Sequence, residues 1–187
     1  MDHYLDIHLK PDPDFTPPVL MGALYNKLHR ALVSLQSDRI GVSFPDHKLS
    51  PRSLGGHLRL HGRADDLAEL QAHAWLAGMK EHVTVSDMTT LPAQVSHRCV
   101  RRVQPKTSVE RLKRRYARRH NVSKEELDRL YKGFELNRVP YPFVSIRSQS
   151  TGQSFALFIE HGPESLSPIK GSFSTYGLSA TGTVPWF

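Results

Sequence analysis

Five arginines, Arg111, Arg114, Arg115, Arg118 and Arg119, recur at i, i+3, i+4, i+7 and i+8. That is the spacing of a single helical face. A surface helix ordinarily fills such a stripe with apolar side chains. Here it presents guanidiniums, which fork onto phosphate oxygens or onto the O6/N7 edge of guanine. The surrounding stretch, residues 98–119, holds eight Arg and two Lys against one acid, Glu110, for a formal charge of +9. The whole chain is +7, so the other 165 residues carry −2. A cationic block this dense repels itself unless a polyanion neutralises it. Nucleic acid is that polyanion, because it releases condensed counterions when Lys and Arg replace them. The plainer alternative is a solvated surface helix, which a mixture of signs would fit better.

Other chemistry must be looked for among histidines and hydroxyls. The chain has no Walker loop, Rossmann glycine set or G-x-S-x-G elbow. His57 and His61 have His-x-x-x-His spacing, but no acid or cysteine joins them locally, so zinc is poorly supported. RNA can be cut without a metal, since its 2′-hydroxyl is a nucleophile adjacent to the scissile phosphate. A protein need only hold that hydroxyl in line, remove its proton and stabilise the developing charge. Histidine suits the proton step because it titrates near neutrality. Spacing does not choose among the eleven histidines. His29 lies beside the buried stripe of the first helix, where a histidine at the edge of a core is the competing reading. Ser148 lies in the polar cluster 147–153, which also suits a hairpin turn. Tyr176 falls in an expected strand, where packing is its ordinary role.

The elements that must position these residues follow from periodicity. Residues 3–9 alternate, with Leu5, Ile7 and Leu9 on one face, and predict a strand. Thr16-Pro17 starts a helix that runs to about Leu35. Strands are expected at 39–44, 56–62 and 82–86, with a helix over 64–76 that is closed by Gly78 and turns Leu67, Leu70, Ala74 and Trp75 inward. The order β-α-β-β-α-β is the split-βαβ, ferredoxin-like plan. Its central strand 58–61 carries no aromatics, so this sheet is not expected to be a base-stacking platform. Residues 89–93 read as a linker. After it come the basic strand 97–104, a helix opened by the Thr107-x-x-Glu110 pattern, and a short helix opened by Ser123-x-x-Glu126 and closed by Gly133. Strands at 143–146, 155–159 and 173–178 complete the chain. The fold class is therefore α+β, with a ferredoxin-like domain over 1–93 and a smaller C-terminal α/β region over 94–187 that carries the arginine helix.

Composition excludes other classes. The apolar and aromatic shares are those of a folded protein rather than a disordered one. Cys99 is the single cysteine, so no intramolecular disulfide is possible and a reducing compartment fits. The start Met-Asp-His-Tyr shows no signal-peptide pattern and no run approaches a membrane span, so a cytoplasmic protein without membrane contact is expected.

Segments along the whole chain together resemble the CRISPR repeat-processing endoribonuclease of subtype I-F. They are residues 1–7, Lys27-Leu28-His29, 38–45, Arg102-Val103-Gln104, Arg118-Arg119-His120, 147–153, His161-Gly162-Pro163, 176–179 and 184–187. The resemblance implies an enzyme without cofactor or metal that binds the stem-loop of the repeat transcript and cuts at the 3′ base of the stem. The products would be a 5′-hydroxyl and a 2′,3′-cyclic phosphate. The protein would stay on the mature crRNA as a monomer and join the other subunits of a crRNA-guided surveillance complex. The catalytic set it implies is His29 as base or proton shuttle, Ser148 holding the 2′-hydroxyl, and Tyr176 orienting the imidazole. Arg102 and Gln104 would read base edges, and Phe155 would stack on the terminal base pair. Arg114, Arg115, Arg118, Arg119 and His120 would follow the groove and its phosphates, and Gln149, Ser150 and Thr151 join the RNA contacts. Two alternatives remain open: a non-cutting hairpin-binding module with the same basic surface, and a DNA-binding regulator, for which no helix-turn-helix signal appears.

Overall fold

Alternation at the N-terminus becomes strand β1 (His3–Leu9), whose Leu5 and Ile7 are buried. The computed structural model describes residues 1–104, 109–120, 122–131, 139–148 and 152–187. Helix α1 (Pro17–Ser34) follows, with proline in its first turn, and buries Leu20, Leu24, Leu28, Ala31 and Leu32 along one stripe. Thr16 has extended backbone before it, although its side chain makes no capping hydrogen bond. Strand β2 (Gly41–Ser43), the short hairpin β3 (Lys48–Leu49) and β4 (Arg52–Ser53), and strand β5 (His57–Gly62) come next. Helix α2 (Ala64–Ala72), strand β6 (Val83–Val85) and strand β7 (Thr89–Thr90) complete the first half. The sheet order is β2-β5-β1-β6, every pairing antiparallel. This is the ferredoxin-like arrangement, in which a hairpin strand slips between the two strands joined by the first helix.

Three expectations change here. Helix α2 stops at Ala72, not Leu76. The chain reverses at Ala74, whose φ of 48° is left-handed, and Trp75 and Met79 reach the core from the turns that follow. Ala74 itself is exposed, so burying the indole overrode the helical period. The segment read as a linker is partly ordered into the sheet, because β7 pairs with β1 at Tyr4↔Thr89 and His3↔Thr90. Residues 173–178 do not form a strand. Gly177, at φ 67°, closes a turn in which its N–H donates to the Ser174 carbonyl.

Strand β8 (Ser96–Val103), helix α3 (Val109–His120), helix α4 (Lys124–Leu130), and strands β9 (Phe143–Arg147), β10 (Ser154–Ser165) and β11 (Val184–Trp186) make the second half. A second antiparallel sheet has the order β11-β8-β10-β9. Its inward residues Val100, Val144, Ile146, Leu157 and Ile159 join the same hydrophobic cluster as Leu5, Leu24 and Leu58 of the first half. The chain divides into two compact units, Met1–Val103 together with Tyr141–Phe187, and Gln104–Pro140. Both sheets thus belong to the first unit and share its core, and the arginine helix belongs to the second. The helix-start pattern at 107–110 and the closing Gly133 lie outside the described residues.

Candidate active site

His29 stands on α1 between Leu28, which is buried, and Arg30, which is exposed. Helical geometry therefore puts the imidazole at the margin of the apolar stripe, half-buried, as its place in the sequence predicts. Nδ1 lies 2.9 Å from the Thr175 carbonyl oxygen. A carbonyl only accepts, so Nδ1 carries the proton, and Nε2 is the nitrogen left for other chemistry. The ring lies flat on that of Tyr176, with centroids 3.9 Å apart and planes 7° from parallel. The Tyr176 backbone is held in turn by α1, where the fully buried Tyr25 hydroxyl donates to its carbonyl at 2.6 Å. Burial pushes the Tyr176 phenol above its ordinary pKa, with Arg102 opposing the shift, so the hydroxyl is neutral at pH 7.

His29 and Tyr176 line an open cavity of about 880 Å³ with Ser148 and Phe155. Lys27, Arg30 and Arg147 also line it, and no carboxylate does so among the described residues. A cleft with cations, a neutral phenol and an imidazole suits an anion such as a phosphodiester. Ser148 stands where β9 turns into the hairpin. Its N–H donates to the Gln153 carbonyl at 2.9 Å, and its carbonyl accepts from Gly152 N–H at 2.8 Å. Gly152, with φ 67°, supplies the left-handed residue this closure needs. Gln149, Ser150 and Thr151, named with the RNA contacts, lie outside the described residues.

The guanidinium of Arg102, exposed on β8, sits 5.7 Å from the centroid of the Phe155 ring. Gln104, just beyond β8, is exposed. The rest of the basic stretch is not uniformly open. Arg98 pairs with Glu164 at 2.6 Å and lies over Trp186, and Arg101 pairs with Glu160 at 2.7 Å. Neighbouring β10 thus neutralises two of the cations that the sequence presents as one ribbon. Asn26 and Arg30 escaped the sequence reading, and Lys27 and Arg147 entered it only within the resembling segments, with no role at the site. Helical spacing back from His29, at i−3 for Asn26, is the signal that could have found one of them.

In the second unit, α3 has two faces. Arg114, Arg115, Arg118 and Arg119 are exposed, while Lys113, Tyr116 and Ala117 are half-buried. Lys113 pairs with Asp128 of α4, and Tyr116 packs edge-on to Tyr131. His120 is exposed as well, and its ring lies 4.3 Å from that of Tyr116 between centroids. The Arg111 side chain lies outside the described residues. Helix α4 starts as its sequence pattern predicts, the Ser123 hydroxyl accepting from Glu126 N–H.

His57 and His61 part company. His61 bonds Ser43 at 2.8 Å, while His57 stacks on His8 and meets Asp6. Asp6, His8 and His57 bring ligand-type atoms within 4.8 Å of one another. Both Asp6 oxygens already accept from the Arg59 guanidinium, at 2.6 and 2.9 Å, so an ion pair fills the place a cation would take. No helix among the described residues is long and apolar enough to cross a membrane.

The family model described as "CRISPR-associated protein (Cas_Csy4)" matches residues 4–187. The chain is 50% identical over 187 residues, all of both chains, to a protein of Pseudomonas aeruginosa (strain UCBPP-PA14) named "CRISPR-associated endonuclease Cas6/Csy4". It is 44% identical over 188 residues, again all of both chains, to a protein of the same name from Escherichia coli (strain UTI89 / UPEC).

Proposed function

The chain belongs to the Cas_Csy4 family of CRISPR-associated proteins, and on that premise we propose that it is a metal-independent endoribonuclease acting on the hairpin of the CRISPR repeat transcript. The observation that carries this reading is the imidazole of His29, with Nδ1 committed to Thr175 and Nε2 uncommitted among the described residues, sharing with Ser148 a basic cavity that no described carboxylate lines. In the proposed reaction Nε2 accepts the proton of the 2′-hydroxyl preceding the scissile phosphate. The ribose oxygen attacks phosphorus as the P–O5′ bond breaks. The products are a 2′,3′-cyclic phosphate and a 5′-oxygen, which takes up a proton from the imidazolium or from water. Ser148 holds the attacking hydroxyl, and Tyr176 fixes the imidazole plane. Phe155 caps the terminal base pair beside Arg102, and Arg102 and Gln104 read base edges at the foot of the stem. Arg114, Arg115, Arg118 and Arg119 hold the backbone phosphates. The cut falls at the 3′ base of the stem, and the protein stays on the crRNA and enters the surveillance complex.

The test is cleavage of a repeat hairpin in EDTA by the wild-type chain and by His29→Ala. The variant is expected to lose about 10²–10⁴-fold in rate, the share of a general base, while its affinity for the uncut hairpin stays the same. A wild-type chain that binds the hairpin and leaves it intact in EDTA overturns the reading and leaves a hairpin-binding module in its place.

A further inference from the structure

We propose that Asn26 is a positioning residue that sets Ser148 against His29, acting from one helical turn away without touching the substrate. The inference rests on the cleavage reaction proposed above.

Strand β9 is the edge of the second sheet, so one row of its backbone groups has no ladder partner among the described strands. Two groups of that row are the Ser145 carbonyl and the Arg147 N–H, which point the same way from residues i and i+2. The Asn26 amide answers both. Its Nδ2 donates to the Ser145 carbonyl at 3.2 Å, and its Oδ1 accepts from Arg147 N–H at 3.1 Å. One side-chain amide thus closes the edge as a residue of a neighbouring strand would. A third bond, from Nδ2 to the Gly22 carbonyl at 2.7 Å, ties the amide back to its own helix.

Close approach is a condition for this, because an asparagine side chain is short. Gly22, four residues earlier on the same face, provides it. A Cβ there would stand 3.1 Å from the Ser145 carbonyl oxygen, tighter than ordinary contact. Residues 22, 26 and 29 therefore form one helical stripe whose first two members hold β9 and whose third carries the imidazole. The residue after the pinned Arg147 amide is Ser148, whose own N–H and carbonyl are committed to Gln153 and Gly152. Its backbone is thus held from both sides. Removing Asn26 frees one of them, and displacements on the order of 1 Å at a reacting pair cost roughly 100-fold in rate.

The experiment is a double-mutant cycle in single-turnover cleavage of the repeat hairpin, with affinity measured on a hairpin carrying a 2′-deoxy group at the cut site. Asn26→Ala is expected to slow cleavage about tenfold or more in the wild-type background and less than about twofold in the Ser148→Ala background. Affinity should stay within about twofold in both. A general loss of fold would slow both backgrounds alike. Should Asn26→Ala fold poorly, Asn26→Ser, which keeps a polar group but cannot span both backbone atoms, takes its place in the cycle. Wild-type rates in the substituted protein, additive effects, or a Ser148→Ala change without consequence would each overturn the inference. A wild-type chain that never cuts overturns the proposed function instead, and is scored before any variant.

Discussion

His29 meets one turn twice, through a hydrogen bond to Thr175 and a stacked face on Tyr176. The contact with Tyr176 is through the ring and not through the hydroxyl. Tyr176→Phe should therefore cleave within about threefold of wild type, and Tyr176→Ala should lose the stacking, worth about 0.5–1.5 kcal/mol or roughly 2–12-fold in rate. Equal losses in the two, measured under single-turnover conditions, would assign the role to the phenol. Phe155 offers a second residue-scale measurement. Phe155→Ala should weaken hairpin binding by about 1–3 kcal/mol, the range for a base stacked on an aromatic ring, with little effect on cleavage of bound RNA. The types of these residues were visible in the sequence. Spacing could not group them, because 147 positions separate His29 from Tyr176, and only the family resemblance placed them in one set.

At the scale of elements, α3 carries the arginines and the turn 174–177 carries the histidine's support. The outward side of α3 presents Arg114, Arg115, Arg118 and Arg119, while Lys113 and Tyr116 engage α4. Arg115→Ala and Arg119→Ala should each lower the slope of log affinity against log salt by about 1, the signature of one lost phosphate contact. An unchanged slope in both would remove α3 from the phosphate interface. Gly177 tests the turn. At φ 67°, an added Cβ would also fall 2.5 Å from Val42 Cγ1. Gly177→Ala should cost about 1–3 kcal/mol of stability, read by urea unfolding, and slow cleavage by shifting Tyr176. The helical period made α1 and α3 legible, and the cap at Ser123 marked α4. The turn was misread as a strand because Phe173, Tyr176 and Leu178 favour extended structure when taken singly, whereas Gly177 decides the backbone.

At the largest scale, the first unit has one core that spans both sheets, and histidines are buried or half-buried against it. Burial, aided by Arg59 and opposed by Asp6, lowers the pKa of His61 from 6.5 to about 3. Burial, His47 and Arg98 do the same for His161, also to about 3. Between those limits the unfolded chain binds more protons than the folded one, so stability rises with pH. It should be complete above pH 6.5 and fall as pH drops toward 3, by at most about 1.4 kcal/mol per pH unit for each histidine. Asp6 loses free energy on burial, but His57 and Arg59 outweigh that and hold its carboxyl well below the usual range. It adds a loss of the same sign below about pH 4. Unfolding free energies that stay level from pH 7.5 to 5 would contradict the assignment. The sequence marks His61 by its spacing from His57 and not by burial; sheet pairing puts it inside, and the β10 register sets the half-buried His161 against Phe44 and His47.

Local pattern determined much of this protein on its own: the split-βαβ order, the helix bearing His29, the arginine face and the hairpin bearing Ser148. Each depends on neighbours a few residues apart, and periodicity of side chains or turn chemistry records such relations directly. Tertiary structure decided which groups share a cavity and which cations are neutralised. It also set where the imidazole's proton sits and which amide closes the edge of β9. Those outcomes depend on partners such as Asn26 with Arg147, or Arg101 with Glu160, joined only when the second sheet closes on the first helix and completes the common core.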